Sequence, residues 1–256
     1  HVNYRDDVYG KIPTLDYSKL QQGISQSAAS LTSILETRLK RLDVRVINGK
    51  ATFAGNHKVI VGTKEYSGNY VIIATGTRPK LLPNMSVDGQ MVITSDEVNN
   101  LKKAPKSILI LGAGVIGCEY ASIFNALGTQ VHLVDTNSQI MSNEDPDISE
   151  FIKNAFYSVG IHVIPSSRYF SHKLQNDGVL TELSTGDIKT DIVLLAVGRE
   201  PYTNNLNLGA TDIALDQKGY ISIDSNACTN VPNIYAVGDI GTRNVPSDLS
   251  LVHVAE

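Results

Sequence analysis

Between positions 15 and 39 the apolar residues Leu20, Ile24, Leu31, Ile34, Leu35 and Leu39 recur at helical spacing, which predicts a long amphipathic helix. Arg38, Lys40 and Arg41 close it with the positive charge that a helix C-terminus favours. The stretch before it, residues 1–13, is polar and without period. Short β-rich runs come next at 44–48 and 58–61, parted by the turn Gly55-Asn56. Ser67-Gly68-Asn69 then leads into an apolar strand at 70–74 that stops at Thr75-Gly76. Thr94-Ser95-Asp96-Glu97 has capping-box spacing, with Thr94 as the expected cap of a short helix. After Pro105 comes the clearest pattern in the chain. A strand at 107–111, a glycine turn, a helix at 115–127 closed by Gly128 and a strand at 130–134 make a βαβ unit. Asp145-Pro146 opens a further helix, which Gly160 ends, and 161–164 is a short strand. Residues 169–188 read as antiparallel strands turning at Asn176-Asp177-Gly178 and Thr185-Gly186-Asp187. The unbroken apolar run 192–197 predicts a strand covered on both faces, and shorter strands are expected at 220–223 and 233–237.

Composition adds bounds. With 256 residues, 42% apolar and 19% charged, the chain has globular rather than disordered make-up. A net charge of −4, spread along the chain, gives no electrostatic reason to expect nucleic acid or an anionic membrane as partner. The apolar runs fall well short of the roughly 20 residues that span a bilayer. No basic-then-apolar leader opens the chain, so the expectation is a soluble, cytoplasmic protein. Cys118 and Cys228 stand far apart, in no CxxC or Cys/His cluster, so neither a metal nor a disulfide framework is expected. Both read as small buried hydrophobes.

The chemistry lies in Gly112-Ala113-Gly114-Val115-Ile116-Gly117, a GxGxxG set between an apolar strand and a helix. Gly112 permits the tight turn, Gly114 lets a pyrophosphate approach the backbone, and Gly117 lets the helix pack close to the strand. The helix N-terminus offers free N–H groups and a positive dipole end to phosphates. The next strand ends at Val134-Asp135, roughly 20 residues on, where a carboxylate can accept hydrogen bonds from ribose hydroxyls. A 2′-phosphate would be repelled there, and no Lys or Arg occurs from Thr136 to Ile152. NAD is therefore expected over NADP. Glu119 is expected in the first turn of the helix, where a carboxylate suits the dipole, or beside the nicotinamide. His132 reads as an ordinary strand histidine. Tyr157 and Tyr202 have no Lys four positions on, so neither supports a short-chain alcohol dehydrogenase.

These residues resemble the class I flavoprotein pyridine nucleotide-disulfide oxidoreductases. Residues 71–79, Val-Ile-Ile-Ala-Thr-Gly-Thr-Arg-Pro, look like the family's "ATG" strand, and 112–124 are similar to its NAD-binding fingerprint. Residues 196–201 resemble the strand end that closes the NAD domain. Residues 229–239, ending Val-Gly-Asp, are similar to the second flavin motif, and 251–256 to the start of the helix beside the flavin ring. The resemblance implies an α/β fold: a Rossmann-like domain with a parallel sheet and a β-meander crossover over 103–225. It also implies an N-terminal helical segment over 1–42 and partial flavin-domain segments over 43–102 and 226–256. NAD would be held by Gly112, Gly114, Val115, Ile116, Gly117, Glu119, Asp135 and Gly198, with Ile116, Glu119 and Gly198 on the nicotinamide side. FAD would meet Thr75, Gly76, Gly238 and Asp239, Asp239 taking a ribityl hydroxyl. The family's redox pair CxxxxC, its His–Glu pair and its first GxGxxG are not in this sequence. The expectation is thus a piece of a longer chain, without an initiator Met, with no catalytic residue of its own and weak or no FAD binding. The parent activity expected is hydride transfer between NAD(H) and FAD in a dihydrolipoamide dehydrogenase-like homodimer. A transhydrogenase-like flavoprotein and a non-catalytic nucleotide-binding module are the alternatives, with dihydrolipoamide or a second pyridine nucleotide as small-molecule partner.

Overall fold

The computed structural model describes residues 16–242. The polar opening stretch and residues 251–256 lie outside the described residues. Helix α1, Tyr17–Arg41, starts at Asp16, whose carboxylate accepts the N–H groups of Ser18 at 3.1 Å and Lys19 at 3.3 Å. Its apolar stripe does not become core. No α1 residue is buried, Leu31 and Ile34 are each 64% exposed, and only Tyr17 in the first turn packs against the main core. No described element covers the remainder of the stripe.

No strand forms at 44–48, where Val44 and Val46 are exposed and the backbone has no ladder partner. The first sheet is instead an antiparallel meander of β1 (Ala51–Gly55), β2 (Lys58–Val61) and β3 (Lys64–Ser67). Next come β4 (Val71–Ile73), β5 (Thr77–Pro79) and β6 (Val92–Thr94). The expected capping box is half realised. Glu97 accepts the Thr94 N–H at 2.8 Å and its hydroxyl at 2.7 Å, but the element that it opens is a single 3-10 turn, Val98–Asn100. Asn99, Asn100 and the nearby Pro105 leave no room for an α-helix.

The main body matches the predicted alternation closely. It comprises β7 (Ser107–Leu111), α2 (Val115–Ala126), β8 (Gln130–Val134), α3 (Pro146–Ser158) and β9 (His162–Ile164). Then come the meander β10 (Tyr169–Gln175), β11 (Gly178–Leu183), β12 (Ile188–Thr190), and β13 (Ile192–Leu195). Five strands pair in the order β6-β13-β7-β8-β9, all parallel. One row across this sheet, Ile93–Leu194–Ile110–Leu133–Val163, is buried beneath the helices with Ala121, Phe124 and Phe156. The next row carries Leu195, Leu111 and Val134 to the opposite face, where Val179 and Leu183 of the meander cover them. Covering on both faces explains why these strands are continuously apolar. The result is three layers: helices, parallel sheet, meander.

A smaller core joins Phe53, Ile73, Leu206, Ile221, Ile234, Ala236 and Ile240. It is built on β15 (Ile221–Ser222), which pairs with β17 (Gly241–Thr242), and on β16 (Ile234–Ala236), which runs parallel to β4 with Ile73 opposite Ala236. Segments far apart in sequence thus meet. An antiparallel ribbon links the two bodies: β14 (Arg199–Pro201) pairs with β5, Glu200 opposite Arg78. Sheet membership does not obey the segment boundaries expected from sequence. Strand β6 joins the large sheet from before residue 103, while Leu206 and Ile221 pack in the smaller core.

Candidate functional site

The turn between β7 and α2 is held by three glycines in three ways. Gly112 has φ +102°, and a Cβ there would run into the carbonyl of Ala196 at the end of β13. A Cβ on Gly117 would strike the carbonyl of Gly112, so only hydrogen lets α2 pack this close. Gly114 differs: its Cβ would meet nothing within 4 Å. That residue is free of the protein's own packing and faces a cleft of about 460 Å³. No side chain caps α2, and its first turn holds no acidic residue, so its N–H groups remain available to a ligand.

Asp135 closes the turn from the end of β8. One carboxylate oxygen accepts the Ala113 N–H at 2.6 Å, the other the Asn137 N–H at 2.8 Å. Its carbonyl accepts the Ser167 N–H at 2.8 Å, so the loop after β9 is sewn to the loop after β8. These loops leave the carboxyl ends of parallel strands, where open α/β sheets bind ligands. Gly112, Gly114, Val115, Ile116, Asp135 and Gly198 all line the one cleft. Gly117 sits behind it as a packing residue.

Glu119 is not brought into that set. Because α2 begins at Val115, Glu119 falls beyond the first turn, is exposed, and does not line the cleft. Cys118, beside it, is buried and donates to the Ala113 carbonyl at 3.4 Å. Burial first, then the charges of Asp135 and Glu119, push its thiol up to about 12, which keeps it protonated and inert. Cys228 is free and partly buried. The structure adds Asn137, Ser142, Ser167, Arg168 and Tyr169 to the cleft wall. None of these stands out in the sequence, and Arg168 lies well beyond the cation-free stretch from Thr136 to Ile152. The signal available is the strand at 161–164, whose succeeding loop must share the ligand edge once that strand is parallel to β8. A concavity of about 480 Å³ on the β1–β2 meander, lined by Asn48, Lys50 and Thr52 among others, shares no residue with this cleft.

The other expected residues converge at the ends of β4 and β16. The Val237 N–H donates to the Ile73 carbonyl at 2.9 Å, which sets Thr75-Gly76 beside Gly238-Asp239. Thr75 donates to the Tyr202 carbonyl at 3.2 Å, and Tyr202 N–H to the Gly76 carbonyl at 2.9 Å. The Thr77 hydroxyl donates to Asp239 at 3.3 Å and accepts from Arg199 Nε at 2.7 Å. Arg199 also donates to the Thr77 carbonyl at 2.8 Å and stands 3.9 Å from Asp96. The cleft edge at Gly198 is thereby wired, through its neighbour Arg199 and Thr77, to Asp239. The residues present fit a dinucleotide at the glycine turn. At Asp239 they fit the polyol end of a flavin, whereas the sequence has no second GxGxxG for that flavin's pyrophosphate.

The profile of the family described as pyridine nucleotide-disulphide oxidoreductase matches residues 8–256. The chain belongs to this family. It is 37% identical over 216 residues to the soluble pyridine nucleotide transhydrogenase of Vibrio atlanticus, covering 80% of this chain and 46% of that protein. Against the dihydrolipoyl dehydrogenase of Bacillus subtilis it is 32% identical over 232 residues, 88% of this chain and 50% of the relative. The HOCl-induced flavoprotein disulfide reductase RclA of Escherichia coli superposes with a TM-score of 0.86 at 27% identity, over 94% of this chain and 55% of that one. This chain spans about half the length of the curated relatives it matches. The α/β fold expected from sequence is that of the family, and the relatives are oxidoreductases. Among the described residues no helix is long and apolar enough to cross a membrane, and no His/Cys/Asp/Glu group is disposed to hold a metal ion.

Proposed function

We propose that this chain is the NAD(H)-binding portion of an FAD-dependent pyridine nucleotide-disulfide oxidoreductase in which hydride passes between NAD(H) and FAD. The observation that carries this reading is the joining of the glycine-turn cleft to Asp239 through Arg199 and Thr77. In this reading Gly112, Gly114 and Gly117 shape the pyrophosphate cradle, with Val115 and Ile116 on its helix side. Asp135 accepts from ribose hydroxyls, and Gly198 borders the nicotinamide. Glu119, exposed on α2 and outside the cleft lining, has no part in this reading. Thr75, Gly76, Gly238 and Asp239 hold the ribityl end of the flavin, which supplies the two-electron acceptor chemistry. The residues' own task is to fix the two rings against each other and to keep water out. The nucleotide-binding domain centres on 103–225 with β6 added, and the flavin-side segments on 43–102 and 226–256 with β15.

Similarity to both a transhydrogenase and a dihydrolipoyl dehydrogenase supports either a second pyridine nucleotide or dihydrolipoamide as the further partner. Mixing NADH anaerobically with flavin-loaded protein containing this segment tests the reading. The flavin's visible absorbance should bleach, and Asp135→Asn should slow bleaching at subsaturating NADH. Undiminished absorbance at saturating NADH would refute hydride transfer through this site.

A further inference from the structure

Arg168 is a cation at the adenosine end of the cleft that the sequence around Asp135 does not announce. It lines the cleft together with Asp135, Asn137 and Ser142. Its backbone is pinned on both sides. Ser166 N–H donates to the Asn137 carbonyl at 2.9 Å and Ser167 N–H to the Asp135 carbonyl at 2.8 Å. The Arg168 N–H donates to the Ser184 hydroxyl at 2.9 Å, and its carbonyl accepts the Ser184 N–H at 2.9 Å. Arg78 and Arg199, by contrast, each have a carboxylate within 4 Å. Among the described residues the Arg168 guanidinium has neither ion-pair nor hydrogen-bond partner. A backbone pinned on both sides thus holds, in the same cleft wall as Asp135, an exposed guanidinium with no partner among the described residues.

We infer that Arg168, with Asn137 and Ser142, forms a 2′-phosphate-reading edge of this cleft, so that the chain takes NADPH as well as NADH. The inference rests on the dinucleotide reading above. A 2′-phosphate carries roughly −1.5 to −2 charge, and Asp135 alone would repel it. Both Asp135 oxygens already accept backbone N–H groups, however, which offsets part of that charge. The guanidinium fork matches phosphate geometry with two parallel N–H donors. The Asn137 amide donates to the Ser142 hydroxyl at 3.3 Å, a long bond that a phosphate oxygen can replace by taking both donors. NADH leaves this edge unused and relies on Asp135.

Calorimetric titration of the whole chain with NADH and with NADPH tests the inference, using the unmutated protein, Arg168→Gln and Arg168→Lys. Arg168 is exposed, so the variants should melt with the parent. In Arg168→Gln, NADPH affinity should fall about tenfold to a hundredfold, the value of a charge-assisted bond. NADH should change less than about threefold, and Arg168→Lys should lose an intermediate amount of NADPH affinity. NADPH binding should also weaken more steeply with salt than NADH binding. Equal losses for both cofactors would mean that Arg168 touches adenine or pyrophosphate instead, and would overturn the assignment. No loss for NADPH would overturn it too. A chain that binds NADH with Arg168 irrelevant refutes this inference alone, whereas one that binds neither nucleotide refutes the dinucleotide reading with it.

Discussion

The two Asp135 oxygens that we propose read the ribose also hold the local structure. They hold the glycine turn and the adjoining loop through Ala113 and Asn137, which leaves their remaining lone pairs to a ribose. Replacing it by Ala would strand two N–H groups, so Asp135→Asn is the cleaner variant, since its amide oxygen can still accept one of them. Asp135→Asn should weaken NADH by about 1–3 kcal/mol and leave NADPH unchanged or improved, as titration of both cofactors would show. Equal effects on the two would mean that another residue reads the ribose. At this scale the sequence is informative where function is local. Strand, glycines, helix and acid lie within one βαβ unit, so the sequence context places them together, and Gly112, Gly114 and Asp135 line one cleft. Arg168 is illegible because strand order, not chain proximity, brings it to Asp135. Glu119 lies beyond the first turn although the helix starts at Val115 as the sequence reads it, because the fifth helical residue is already past one turn of about 3.6 residues.

Strands β8 and β9 put His132 directly opposite His162, with the rings stacked 5.2 Å apart. Burial, and then the charge of His162, hold the His132 imidazole below its ordinary value. The unfolded chain takes up that proton near pH 6.5 while the folded chain resists it. Stability should therefore be complete above about pH 6.5 and fall as the pH drops toward the lower folded value. Melting temperatures measured from neutral pH down to mildly acid should show this loss, and His132→Val should flatten it. A profile that His132→Val leaves unaltered would place the acid sensitivity elsewhere. Among the elements, β7, β8 and α3 are legible almost to the residue, since their buried faces, caps and prolines agree. Strands β1, β3 and β6 are not, being short and defined by partners rather than by pattern. The run at 44–48 shows the converse, β-rich composition with no neighbour to pair with.

As a whole the molecule is two unequal bodies joined by the β5–β14 ribbon. The larger body is a packing unit with its sheet covered by helices on one face and a meander on the other. The smaller body leaves Tyr70 71% and Ile72 66% exposed on the outer side of β4 and its flank, opposite the core formed by Ile73 and Ile234. The larger body's packing therefore does not depend on the smaller one, and its cleft can be tested without flavin. Gly114 separates fold from ligand most cleanly. A Cβ there meets no protein atom, yet it would occupy the space through which a pyrophosphate reaches the backbone. Gly114→Ala changes a helix N-cap and should cost at most about 1 kcal/mol of stability. Calorimetric titration of NADH onto the unmutated chain and onto Gly114→Ala is the decisive measurement. One NADH should bind per unmutated chain, and Gly114→Ala should lose on the order of tenfold or more in affinity while melting within about 5 °C of the parent. No NADH binding to the unmutated chain, or equal binding by a folded Gly114→Ala variant, would contradict the assignment of this cleft to a pyridine nucleotide.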